Sequence, residues 1–178
     1  MKKTFILTLT GPDRIGFVEE VTRLLLDRGG NVETSRMARL GGEFAILVLL
    51  TIPTDSLHAL DSDLSALTSR GYRVTKTAVE RPGIEVRDGW RPYRIAVEGA
   101  DHEGIINGIA RYLSEQGIDI ESADSDCSPG AESGVPLFSM TARVLVPPAH
   151  TGAGWQDGLR QIGEKQNVDI TVVEGGLT

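Results

Sequence analysis

The stretch LTLTGPDRIGFVEEVTRLLLDRGGNVE near the start of the chain returns in degenerate form as IAVEGADHEGIINGIARYLSEQGIDIE. Gly11 and Gly99 lie 88 residues apart, and the same offset pairs Asp13 with Asp101, Gly16 with Gly104, Gly29 with Gly117 and Glu33 with Glu121. A repeat of this length constrains the fold more than any single motif, because each copy must close a core of its own. It predicts two similar domains in tandem, residues 1–80 and 92–178. The segment 81–91, within RPGIEVRDGWRP, carries the Pro, Gly and Asp-Gly signals of a linker.

Within the first copy, TFILTLT alternates Phe5, Leu7 and Leu9 with threonines and an isoleucine, the period of a strand with one face on a core. Tyr93, Ile95 and Val97 keep that phase in the second copy. From Ile15 to Arg28, apolar residues at Ile15, Val18, Val21 and Leu25 predict one buried helical face, answered from Val18 on by Ile106, Ile109 and Leu113. Phe17 and Leu24 form a second stripe, matched by Ile105 and Tyr112. It reads first as a broad core face and second as a pairing surface. Gly29 and Gly117 fall where a helix C-terminus favours positive φ.

VETSRMARL and FAILVLLTI flank a GGE hairpin turn. TDSLHALDSDLSALTSRG then offers Thr54 as N-cap, Leu57, Leu60, Leu64 and Leu67 on one face, and Gly71 as the stop. YRVTKTAVE closes the unit as a strand. The order β-α-β-β-α-β is the ferredoxin-like arrangement of the α+β class, a four-stranded antiparallel sheet with two helices on one face. In the second copy the hairpin connection SDCSPGAESGVP is longer: Phe44 and Phe138 stand 94 residues apart, and the extra polar residues predict an exposed loop holding Cys127. Trp155, Leu159 and Ile162 mark its last helix, and VDITVVEG its last strand.

GPDRIG spaces its glycines as a P-loop does, but Phe17 and Val18 follow where Lys and Ser or Thr must reach phosphate and metal; the second copy has Ile105 and Ile106 there. No G-x-G-x-x-G opens a parallel unit either. Two readings of the turn stay open. Asp13 and Asp101 cap helix N-termini, with Gly16 and Gly104 letting the first turn pack on the sheet. Alternatively, the turn recognises a free amino acid, whose ammonium wants a carboxylate and whose carboxylate wants the free N–H groups of a helix N-terminus.

GPDRIGFVEEVTRLLLDRGGNVE resembles the strand-turn-helix signature of ACT domains, small ligand-sensing modules of amino-acid metabolism, and both copies share the resemblance. SRMARLGGEFAILVLL and SGVPLFSMTARVLVP further resemble the hairpin regions of the glycine cleavage system transcriptional repressor group, which are tandem ACT domains without an enzyme. The resemblance implies ligands held between paired domains by the turn after the first strand and the start of the second. Those positions are Asp13, Arg14, Ile15 and Gly16 with Asn31 and Val32, and Asp101, His102, Glu103 and Gly104 with Asp119 and Ile120. Because Asn31 both donates and accepts whereas Asp119 only accepts, the first turn is the expected amino-acid site.

The net charge of −7 and pI near 5.0 argue against a phosphate-neutralising surface, so direct nucleic-acid binding is not expected. The sequence contains no apolar run of transmembrane length and no secretion signal, which places the protein in the cytoplasm. Cys127 is the sole cysteine, and His58, His102 and His150 lack metal-ligand spacing, so no metal, cofactor or catalytic residue is expected. The expected function is a non-enzymatic regulator that senses glycine or a similar amino acid. It would act through a protein partner, such as a DNA-binding regulator, and form a homodimer. The competing reading is a ligand-free ACT pairing module.

Overall fold

The computed structural model describes residues 1–80, 87–130, 134–150 and 152–175, and the chain divides into two compact units, Met1–Ile84 and Glu85–Thr178. In the first, β1 (Lys2–Pro12), α1 (Phe17–Asp27), β2 (Asn31–Leu40), β3 (Glu43–Pro53), α2 (Leu57–Ser69) and β4 (Arg73–Ala78) form an antiparallel sheet of order β2-β3-β1-β4. In the second, β5 (Arg91–Ala100), α3 (Ile105–Glu115), β6 (Asp119–Ser128), β7 (Leu137–Val146), α4 (Gly154–Gln166) and β8 (Val168–Glu174) repeat it as β6-β7-β5-β8. The expected α+β, ferredoxin-like fold is present twice. Of the expected linker, residues 81–86 lie outside the described residues.

Each core lies on the face of the sheet that carries both helices. Phe5, Leu7 and Leu9 of β1 meet Val21 and Leu25 of α1 and Leu60, Leu64 and Leu67 of α2. Ile95 and Val97 meet Ile109 and Leu113 of α3 and Trp155 and Leu159 of α4 in the second unit. Full burial of each such aliphatic side chain contributes about 1.5–3 kcal/mol, so the period-two pattern of the central strands fixes which way each sheet faces.

Several expectations shift. α1 starts at Phe17, not Ile15, because Gly16 at φ 85° breaks the right-handed path just before it. That moves the buried face by one position: Phe17 is 1% exposed, whereas Ile15 is 102% and Val18 36% exposed. Ile105 is likewise buried and Ile106 exposed, and Leu24 and Tyr112 pack against the cores, so the second stripe is core face. Thr54 opens a short 3-10 turn and its hydroxyl donates to the Met1 carbonyl, so it does not cap α2.

The hairpins show where the copies diverge. Gly41 and Gly42, at φ 56° and 87°, make a two-residue turn between Leu40 and Glu43, the left-handed pair a tight hairpin needs. In the second unit Ser128 faces Leu137, so Ser125–Ser128 belong to β6, and the expected loop shrinks to 129–136, of which 131–133 lie outside the described residues. The polar composition of that segment misled because β6 is an edge strand exposed along nearly its whole length. Glu33 and Glu121 are the extra residues of matching β-bulges, between Val32 and Thr34 and between Ile120 and Ser122.

Candidate functional site

In each unit the turn after the first strand is tied to the connection between the second and third strands. Asp13 N–H donates to the Gly42 carbonyl at 3.1 Å, and Asp101 N–H donates to the Pro136 carbonyl at 2.8 Å. Neither aspartate caps its helix: the N-cap residues are Gly16 (φ 85°) and Gly104 (φ 95°), and no side chain caps either end. An added Cβ at either glycine would meet nothing within 4 Å, so the backbone conformation, not close packing on the sheet, selects glycine there. With Phe17 N–H turned to the Arg14 carbonyl and Glu20 N–H to the Gly16 carbonyl, the N–H groups of Val18 and Glu19 have no acceptor among the described residues.

Those N–H groups border a cavity of about 500 Å³ lined by Asp13, Arg14, Gly16, Phe17, Val18, Glu19, Thr22 and Phe44. A cavity of about 480 Å³ in the second unit is lined by Asp101, His102, Gly104, Ile105, Ile106, Asn107, Ala110 and Phe138. All eight positions correspond, seven at the repeat offset of the turn and Phe44 with Phe138 at that of the hairpin. The same hollow is built twice. Sequence reasoning named its aspartates and glycines but missed Glu19, Thr22 and Phe44 and their counterparts; the repeat offset was the signal that would have found them.

The two floors differ. Beneath the first turn, the Tyr72 ring stacks on Phe17 with centroids 4.3 Å apart, and Phe44 meets Phe17 edge-on at 6.2 Å. Tyr72 OH accepts from Arg14 Nε at 2.9 Å and donates to the Pro12 carbonyl at 3.2 Å. Arg14 also pairs with Glu20, which Arg70 contacts at 2.5 Å. The hydrogen bond from Arg70, then that from Arg14, holds the Glu20 carboxyl below its ordinary range, while Glu20 and then Tyr72 raise the Arg14 guanidinium. Asp13 is paired with Arg39 at 3.5 Å.

In the second unit Val168 stands where Tyr72 stands in the first, opposite Gly99, so no phenol holds the turn. His102 does so instead: Nε2 lies 2.5 Å from the Gln166 carbonyl at the end of α4, and Nδ1 lies 3.0 Å from the Glu103 carbonyl. Two carbonyl acceptors are both satisfied only by an imidazolium, and the Gln166 and Glu103 carbonyls raise the His102 pKa. Cys127 stands in the place of Arg39, opposite Phe138 as Arg39 is opposite Phe44; reduced solvation, and then the nearby Asp101 carboxylate, raise its thiol pKa.

The remaining site candidates lie elsewhere. Asn31 faces Thr51 and Val32 faces Leu50, at the end of the sheet where Thr4 of β1 sits, whereas the turn follows Gly11, which faces Phe44. The ten residues of β2 span about 30 Å, so one small ligand cannot touch both ends of the sheet within one unit. Asp119 and Ile120 are placed in the same way at the start of β6. They line a separate hollow of about 420 Å³ with Ser114 and Gly117, where Asp119 pairs with Arg87 at 2.9 Å. Ile15 projects from the turn into solvent. Among the described residues no cluster of three His, Cys, Asp or Glu side chains is placed to hold a metal. No described helix is long and apolar enough to cross a membrane.

Residues 3–71 match the ACT domain family model. The chain is 37% identical over 59 residues to the glycine cleavage system transcriptional repressor of Escherichia coli (strain K12). That match spans 33% of this chain and 31% of the relative, so the chain matches about a third of the length of that relative. Among solved structures, an unknown protein from Galdieria sulphuraria is similar at a TM-score of 0.82 and 29% identity, covering 99% of this chain and 100% of the other. A structure proposed to be a glycine cleavage system transcriptional repressor is similar at a TM-score of 0.70 and 18% identity, covering 98% and 99%. At that identity it speaks to the fold, which is shared along nearly the whole chain.

Proposed function

We propose that the chain is a tandem ACT-domain protein, residues 3–71 matching the family model and the second unit repeating the fold, and that it is a non-enzymatic regulator that senses an amino acid. The observation that carries this reading is the doubled hollow, which sets a carboxylate beside an uncapped helix N-terminus in both units. An α-amino acid is complementary to that pair. Its ammonium is drawn to Asp13 or Asp101, and its carboxylate to the first-turn N–H groups of α1 or α3, where the helix dipole favours negative charge. Arg14, Gly16, His102 and Gly104 shape the two turns. Asn31, Val32, Asp119 and Ile120, at the other end of each sheet, belong to the contacts that pair ACT modules. Glycine or a similarly small amino acid is favoured by the likeness to the glycine cleavage repressor.

Regulation runs through protein contact in the cytoplasm. Ile15, Val18 and Ile106 stand exposed on or beside the two turns, where a bound amino acid alters the surface that a partner or a second copy meets. With a net charge of −7, any transcriptional effect passes through a DNA-binding partner. The exposed Val32, Met37 and Leu40 of edge strand β2 favour a second reading, a pairing module without a ligand. Thermal unfolding of the whole chain with each of the twenty amino acids at millimolar concentration separates the two. A ligand that binds only the folded state stabilises it by about 2.7 kcal/mol at a hundredfold excess over its Kd. A midpoint raised by one small amino acid supports sensing, and unchanged midpoints throughout favour the pairing module.

A further inference from the structure

We infer that the residue after the aspartate of the repeated turn is a tether in both units, permanent in the first, where it is Arg14, and operated by protonation in the second, where it is His102. The inference does not depend on whether an amino acid binds. Both side chains reach from the turn to the junction between the second helix of their unit and its last strand. Arg14 Nε donates to Tyr72 OH at 2.9 Å, just beyond the end of α2. His102 Nε2 lies 2.5 Å from the carbonyl of Gln166, the last residue of α4, and Nδ1 lies 3.0 Å from the Glu103 carbonyl within the turn. Positions 14 and 102 stand at the repeat offset of the turn, so one place in the fold does the same task with two chemistries.

A guanidinium keeps its charge and its donors throughout the physiological pH range, and an imidazole does not. Protonated, His102 donates from both nitrogens and satisfies both carbonyls, and its charge sits at the C-terminal end of α4, where the helix dipole favours a cation. Neutral, it keeps one N–H. Whichever nitrogen holds that proton, one carbonyl faces a lone pair and the favourable charge at the helix end is gone, so the turn is held to α4 more loosely. The charged groups on the surrounding elements are Asp101 and Glu103 on the turn itself, Asp126 on β6, Glu164 and Lys165 at the end of α4, and Asp169 on β8. All but Lys165 are carboxylates, and Asp101 acts on the imidazole directly; with the two carbonyls it keeps the proton on His102 to a pH above the ordinary 6.5. The tether therefore holds at acid pH and loosens as pH rises through that higher value. His150 gives no such switch, because its Nε2 meets the Gln116 carbonyl at 2.8 Å, a bond that a neutral ring makes with its single N–H. Since His102 also lines the second hollow, the wall of that hollow follows pH, while Arg14 keeps the wall of the first constant over the same range.

The test is amide hydrogen exchange of the whole chain, read by NMR between about pH 5.5 and about pH 8 and corrected for the intrinsic pH dependence of exchange, alongside titration of the His102 imidazole signals. The Asp101 amide, bonded to the Pro136 carbonyl, and the Gly108 amide, bonded to that of Gly104, report the second turn. The Asp13 and Glu20 amides, bonded to the Gly42 and Gly16 carbonyls, report the first. Opening at Asp101 and Gly108 is expected to become about three- to tenfold more frequent as His102 loses its proton, with the first-unit amides constant. H102R, which carries a permanent charge, removes the change, and H102Q, neutral at every pH, shows the looser turn throughout. Should H102R disturb the fold, the wild type and H102Q decide between them. An imidazole that titrates at or below 6.5, Asp101 and Gly108 amides that do not follow its titration, or a pH dependence that persists in H102Q overturns the inference.

Discussion

Replacing Gly16 with alanine isolates the one conformational demand that starts α1. Gly16 holds φ 85° and ψ 0°, and an added Cβ would have nothing within 4 Å, so the substitution creates left-handed strain without a clash. An L-residue there costs about 1–2 kcal/mol, offset by about 0.4–1 kcal/mol because alanine restricts the unfolded chain. The net is a destabilisation of about 1 kcal/mol, or about 4–8 °C in the melting midpoint of a unit of 60–100 residues. Gly104 at φ 95° predicts an equal loss, and the two add because they lie in different units. Gly152 supplies the control: its φ is not positive and its Cβ would also meet open space, so G152A is neutral or stabilising. Differential scanning calorimetry reads all three. A G16A protein that melts at or above the wild type refutes the account of how the turn is built.

Gly11 makes the opposite demand, for room: an added Cβ would lie 2.4 Å from Tyr72 Cδ1, on a ring stacked against Phe17 and tethered through its hydroxyl. G11A therefore costs about 1–3 kcal/mol by overpacking, and Y72L in the same chain, measured by urea unfolding, recovers part of it. His102 predicts a pH dependence. Its pKa is raised in the folded state, so its stabilising contribution is fully present below the unfolded value of 6.5 and is lost as pH rises through the higher folded value. The melting midpoint falls over that window, and H102Q flattens the change. Glu20 works the other way: its lowered pKa gives a contribution present above 4.5 and lost as pH falls through the folded value, which E20Q removes from an acid-unfolding profile.

The fold was legible because its signals are local. The period-two pattern of Phe5, Leu7 and Leu9, the leucines of α2 and the Gly41–Gly42 turn are read within a few residues, and the repeat let each copy check the other. The phase of α1 was legible only in part: the Phe17 and Leu24 stripe read first as core face and is so, but the left-handed residue at Gly16 leaves Ile15 and Val18 outside, a step that apolar spacing alone does not reveal. The floor of the first turn was hidden for another reason. Tyr72 reaches Arg14 from 58 residues away, and a local motif carries no trace of such a partner. The contrast between Arg39 and Cys127 was in the sequence at the repeat offset, but it gained meaning only once Arg39 was found paired with Asp13.

The claim that an amino acid binds at the repeated turn is tested most directly by backbone amide NMR of the whole chain during titration with glycine, then with the other small amino acids. The account predicts saturable shifts in the amides of Asp13–Thr22 and Phe44, of Asp101–Ala110 and Phe138, or of both sets. Spectra that stay unchanged through millimolar concentrations of every amino acid, or shifts confined to residues remote from both turns, would contradict it.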